Sequence, residues 1–154
     1  MTAIVVIGFG NTLRQDDGFG PAVVERLGDR FDDARVECIT RGTLTPELAA
    51  TLSEASHVFF VDACAELAEG VSQKRAIGPD SAADVSLVHF LSPQALLVWT
   101  ERVYQKRPKA ELWLMGVEQT GLSEELTPLI AGQVDGFVHE LEQAILRDLG
   151  EGPP

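Results

Sequence analysis

Hydrophobic positions along the chain fall into two recurring patterns. Apolar runs occupy residues 3–8, 57–63 and 110–117, and two more polar segments with strand character lie at 34–40 and 71–77. Runs of this length and β-branched content predict strands. Between them lie segments with apolar residues at helical spacing. Val23, Val24, Leu27 and Phe31 share a face over 20–31, and Leu48, Ala49 and Leu52 share one ahead of Ser53. Ser92 before Pro93 predicts an N-cap and a helix over 93–105. Thr45 before Pro46 predicts the same for the second helix. Ile130, Val134, Phe137, Leu141, Ala144, Ile145 and Leu149 predict one last helix over 128–149. Strands alternating with helices imply a three-layer α/β/α sandwich around a largely parallel, twisted sheet of about five strands. The run His57-Val58-Phe59-Phe60-Val61-Asp62-Ala63 reads as a central strand covered on both faces. Gln73, Lys74 and Arg75 place the 71–77 strand at an edge. Residues 1–149 form a single α/β domain, and 150–154 are expected to fray.

Composition narrows the classes. A chain of 154 residues with 45% hydrophobic content can bury a real core. Its net charge of −12, with no basic cluster, argues against nucleic acid. No apolar run reaches membrane-spanning length, and the first run lacks a basic flank, so a cytoplasmic location is expected. The sequence does not set the oligomeric state, for which a monomer is the default expectation. Cys38 and Cys64 read as buried apolar thiols without a disulfide.

Chemistry concentrates in Gly8-Phe9-Gly10-Asn11-Thr12-Leu13-Arg14-Gln15-Asp16-Asp17-Gly18-Phe19-Gly20, a strand-to-helix loop of the kind that lines the crevice of an open α/β sheet. Read as a phosphate cradle it fails. Leu13 takes the third glycine position of a dinucleotide fingerprint, the acidic pair would repel a pyrophosphate, and no Gly-Lys-Ser/Thr follows. Adjacent carboxylates suit a metal ion or another cation. Asp62 ends a strand expected to neighbour the first one, which brings a third carboxylate to the same sheet edge. His57 and His139 read as a structural and a surface residue. His89 precedes the third helix and can reach that edge, and an imidazole with carboxylates suits nickel or zinc. No Gly-x-Ser-x-Gly elbow or nucleophilic cysteine context is present.

These residues resemble the maturation endopeptidases of NiFe hydrogenases. The carriers are Gly8-x-Gly10-Asn11-x-Leu13-x-x-Asp16-Asp17-Gly18-x-Gly20, Val61-Asp62-Ala63, His89 ahead of Leu91-Ser92-Pro93-x-Ala95-Leu96-Leu97, and Gly116-Val117-Glu118. The resemblance implies an enzyme that removes the C-terminal extension of a hydrogenase large-subunit precursor after nickel insertion. It also implies nickel carried by the substrate, no resident metal or organic cofactor, and recognition of that nickel by Asp17, Asp62 and His89. Asp16 would then shape the loop. The chain departs from the family at Arg41-Gly42-Thr43-Leu44, where an acidic or glycine residue is expected ahead of Gly-Thr, and at Val88, where a small hydroxyl residue is frequent. A substrate-bound metal would act as Lewis acid, or a carboxylate as general base. The competing reading is a magnesium-binding phospho-receiver domain with Asp62 as acceptor. Against it, the acidic pair lies eight residues past Gly8, and Glu118 stands where a receiver needs lysine.

Overall fold

A computed structural model describes residues 3–86, 90–118 and 121–150. Five strands form one sheet: β1 (Ile4–Phe9), β2 (Val36–Arg41), β3 (His57–Cys64), β4 (Ser72–Ile77) and β5 (Lys109–Gly116). Their order is β2-β1-β3-β5-β4. The first four strands of that order are mutually parallel, and β4 closes one edge antiparallel to β5. The α/β sandwich expected from the alternating pattern is therefore the observed fold, with β1 beside β3 and the polar strand at the edge.

Helices cover both faces. On one lie α1 (Phe19–Gly28), α4 (Pro128–Ala131) and α5 (Val134–Asp148). Their apolar side chains merge with Val6, Phe59, Val61, Trp113 and Met115. Phe19 meets Phe137 edge-on at 5.0 Å between ring centroids, and Trp113 meets Phe137 at 5.7 Å, so the two long helices lock to the sheet through aromatic edges. On the other face lie α2 (Leu48–Ser53) and α3 (Pro93–Tyr104), over Val5, Ile7, Val58, Phe60 and Leu112. Phe59 and Phe60 are both fully buried in opposite layers, which explains the unbroken apolar run of β3.

Local chemistry sets the boundaries. Ser92 accepts the Ala95 N–H at 3.1 Å and caps α3 as its sequence predicts. Thr45 does not cap α2: its hydroxyl donates to Glu47 Oε1 at 2.7 Å, residues 46–47 form a turn, and the helix begins at Leu48. The single helix expected over 128–149 is two helices, interrupted at Gly132 and Gln133. The first helix stops at Gly28, short of Phe31. Cys38 and Cys64 are free and half-buried, with Cys38 inside β2, so neither is a fully buried core residue. Burial still pushes the Cys38 thiol up to about 11.

At the N-terminal end of β3, His57 is almost fully buried and stacks on Phe59 at 4.2 Å. Its Nδ1 contacts Asp148 of α5, and its Nε2 lies 2.8 Å from Glu111 of β5. This clamp ties the end of α5 to the sheet, at the edge opposite the acidic loop. His139 is exposed on α5.

Candidate active site

The glycines of the acidic loop bring three backbones together. A Cβ on Gly8 would lie 2.2 Å from the Gly20 carbonyl oxygen, and one on Gly20 would lie 2.4 Å from that of Val61. The first turn of α1 thus rests directly on the ends of β1 and β3. Gly10 has φ of +147°, and a Cβ there would strike the Asp17 carbonyl oxygen at 2.0 Å. The chain leaves β1, doubles back through Asn11–Arg14, and enters a 3-10 turn at Gln15–Gly18 that the apolar pattern does not announce.

That turn is held from outside. Gln15 adopts a left-handed φ of 52°, rare for a residue with a side chain. Its N–H donates to the Ser123 carbonyl at 2.8 Å, its Oε1 accepts the Gly121 N–H at 3.0 Å, and the Ser123 N–H returns to the Leu13 carbonyl at 3.0 Å. The strain is thereby over-determined by the loop after β5.

The two acids of the loop diverge. Asp16 is 2% exposed, and its carboxylate accepts the Thr127 N–H at 2.7 Å and the Thr127 hydroxyl at 2.8 Å. It is satisfied and pins the segment ahead of α4. Asp17 accepts the Asn11 N–H at 2.7 Å and lines an open cleft of about 350 Å³. Asp62, near the C-terminal end of β3, lines the same cleft and accepts the N–H of Ala63 at 2.8 Å. Its side chain falls on the α2–α3 side of the sheet, because Val58 and Phe60 face that side and side chains alternate.

Burial raises Asp62 most, the Ala63 N–H opposes, and the charge of Asp17 raises it further, leaving the carboxyl at about 7. Two carboxylates sharing a partly dry cleft favour the arrival of a cation. Arg14 also lines this cleft. His89, the third residue implied by the sequence, lies outside the described residues. Its chain neighbour Phe90 lines the cleft and is 82% exposed. Among the described residues, no set of three His, Cys, Asp or Glu side chains is grouped to hold a metal ion.

No protein-family model matches the sequence, and no curated protein matches it. Solved structures do. The hydrogenase maturating endopeptidase HybD from E. coli superposes with a TM-score of 0.73 at 25% identity, covering 97% of this chain and 94% of that one. The chain is a structural relative of the NiFe-hydrogenase maturation endopeptidases. An endopeptidase solved in solution from Escherichia coli gives a TM-score of 0.66 at 25% identity over 98% of this chain and 96% of that one. The NiFe-hydrogenase maturation protease HycI from Thermococcus kodakarensis shares the fold, with a TM-score of 0.73 at 24% identity over 91% and 90% of the two chains. The resemblance carried by the acidic loop therefore extends over the whole maturation-endopeptidase fold.

Sequence reasoning did not identify three contributors to this site. Thr127 is the partner of Asp16 from 111 residues away, a relation that no local pattern carries. Asn11 fixes Asp17 through its backbone and stands in the glycine motif without a role suggested by its type. Phe90 is an exposed aromatic on the cleft, visible in the sequence only as part of an apolar segment. No helix among the described residues is long and apolar enough to cross a membrane.

Proposed function

We propose that this protein is an endopeptidase that removes the C-terminal extension of a NiFe-hydrogenase large-subunit precursor after nickel has been inserted. Asp17, Asp62 and His89 recognise the nickel that the substrate carries. The observation that supports this most is the pair Asp17 and Asp62, presented by two different elements to one open cleft in a maturation-endopeptidase fold.

The pair explains why cleavage would wait for the metal. Without a cation, burial and mutual repulsion hold Asp62 near neutrality and disfavour a second negative charge beside Asp17. A substrate-bound divalent ion reverses both terms and makes docking favourable. The cleft is open, as a folded protein substrate requires, and its imidazole would come from the segment leading into Phe90. The phospho-receiver reading loses its acidic pair, because Asp16 is committed to Thr127.

The test is cleavage of a large-subunit precursor by the purified protein, with and without nickel in the precursor. Nickel-dependent shortening, abolished in Asp17→Asn and His89→Ala, is the expected result. Equal cutting of nickel-free precursor would overturn the recognition role. Phosphorylation of Asp62 by a small phosphodonor would restore the receiver reading.

A further inference from the structure

A second cleft adjoins the first. Its volume is about 370 Å³, and Gly10, Asn11, Gly42 and Thr43 line both. A peptide in extended form advances roughly 3.3 Å per residue. A segment laid across the Asp17–Asp62 cleft therefore continues into the second one within a few residues. The charges of the two clefts differ in sign. The first holds two carboxylates together with Arg14. In the second, Arg41 is the only charged side chain among the lining residues, within a chain of net charge −12.

Arg41 is the last residue of β2. It pairs with Phe9, and its carbonyl accepts the Gly10 N–H at 3.1 Å, which fixes its backbone. One guanidinium nitrogen donates to the Thr40 carbonyl at 2.8 Å, and no carboxylate forms an ion pair with Arg41 among the described residues. Glu47 is near enough to feel its charge, but that carboxylate is engaged by the Thr45 hydroxyl at 2.7 Å. Most of the guanidinium's five donors therefore remain available, in the fork geometry that matches a carboxylate. Thr12, Thr40 and Thr43 line the same cleft.

We infer that this second cleft is a subsite for a carboxylate on the substrate, with Arg41 as its anion-binding, specificity-determining residue. The inference rests on the endopeptidase reading and adds the class of residue that flanks the bond to be cut. A cation in one cleft and a carboxylate in the next would fix both the register and the direction of the bound segment. A substrate bearing the two in the reverse order would meet like charges at both positions.

The test begins with binding. Uniformly ¹⁵N-labelled protein is titrated with a blocked tetrapeptide carrying one Glu, with its Gln twin, and with a Gln peptide bearing a free C-terminal carboxylate. The Arg41 Nε–H resonance should move with carboxylate-bearing peptides. The Gln twin should bind about fivefold or more weakly, the scale of one screened ion pair. Arg41→Gln should erase the preference. Response to the free terminus but not to Glu would assign the carboxylate to a chain end rather than a side chain. Equal binding of all three peptides, or a preference that survives Arg41→Gln, overturns the inference.

Cleavage then separates it from the reading beneath it. Arg41→Glu should lower kcat/KM on nickel-loaded precursor at least about fivefold, and replacing the facing acidic residue of the precursor with Lys should restore it. Cleavage indifferent to this charge swap refutes the subsite and leaves the protease. Selective peptide binding with no cleavage of any precursor refutes the protease and leaves the subsite.

Discussion

Replacing Asp62 with Asn should make the metal-free protein more stable while abolishing cleavage, and the gain should depend on pH. The carboxyl moves from an ordinary 3.8 to about 7, chiefly through burial and then through the charge of Asp17, with the Ala63 N–H opposing. The sign follows from linkage. Between those two values the folded state keeps a proton that the unfolded chain has released, so stability falls as pH rises from about 4 to about 7 and stays low above that. A shift of roughly three units corresponds to about 4 kcal/mol, and solvent screening in an open cleft reduces this to about 2–4 kcal/mol. Asparagine retains an oxygen for the Ala63 N–H, so the variant removes the charge without orphaning that donor. The assay is urea denaturation with a chelator present, at about pH 5 and about pH 8. The variant should exceed the wild type by about 2 kcal/mol or more at the higher pH, and the gap should narrow toward the lower. Asp17→Asn should recover only part of it, since its charge is a smaller cause than burial. A gap of the same size at both pH values would refute the reasoning, because it would mean that Asp62 ionises as freely in the fold as in the unfolded chain.

Other consequences can be checked alongside. Thr127→Val removes the hydroxyl that Asp16 accepts and should cost about 1–2 kcal/mol, read by denaturation, with faster amide exchange at Gly121 and Ser123. Gly20→Ala forces a Cβ against the Val61 carbonyl and should destabilise by about 3 kcal/mol or more, in contrast to Gly136→Ala, whose Cβ meets open space. Asp148→Asn should weaken the clamp on His57 and lower the melting temperature by several degrees, leaving precursor cleavage intact because the clamp lies at the far end of the sheet. Cys38, with its thiol raised to about 11, should react with iodoacetamide far more slowly at about pH 8 than an ordinary cysteine, and labelling followed by mass spectrometry reads this directly.

Periodicity read the sheet well and the loops poorly, for physical reasons visible at particular residues. Continuous burial of β3 requires an unbroken apolar run, so Val58–Val61 mark a central strand in any reading. The break between α4 and α5 left no trace, because Ile130, Val134 and Phe137 keep helical spacing across it and all three stay buried. Thr45-Pro46 has the letters of a helix start, yet the threonine hydroxyl was satisfied by Glu47 instead. At the site, the two acids of the loop are equivalent in sequence. Their opposite orientations depend on Thr127, placed by tertiary structure, and on the strained turn at Gln15 that the 121–123 segment stabilises. His89 lies outside the described residues, so its part rests on the sequence resemblance and on the position of Phe90.

The contact of Gly20 with Gly8 and Val61 is main chain against main chain. Apart from Val24, whose side chain abuts Gly8, the atoms that meet there are peptide atoms, so the spacing between the start of α1 and the end of β3 is set chiefly by the backbone. The spacing of these backbone segments is written in peptide geometry, which does not mutate. The fold shared with HybD from E. coli, at one identity in four over nearly the whole of both chains, shows how far such a sequence can diverge while its backbone frame persists. The constraint falls instead on a few glycines, whose loss no repacking of neighbouring side chains could offset.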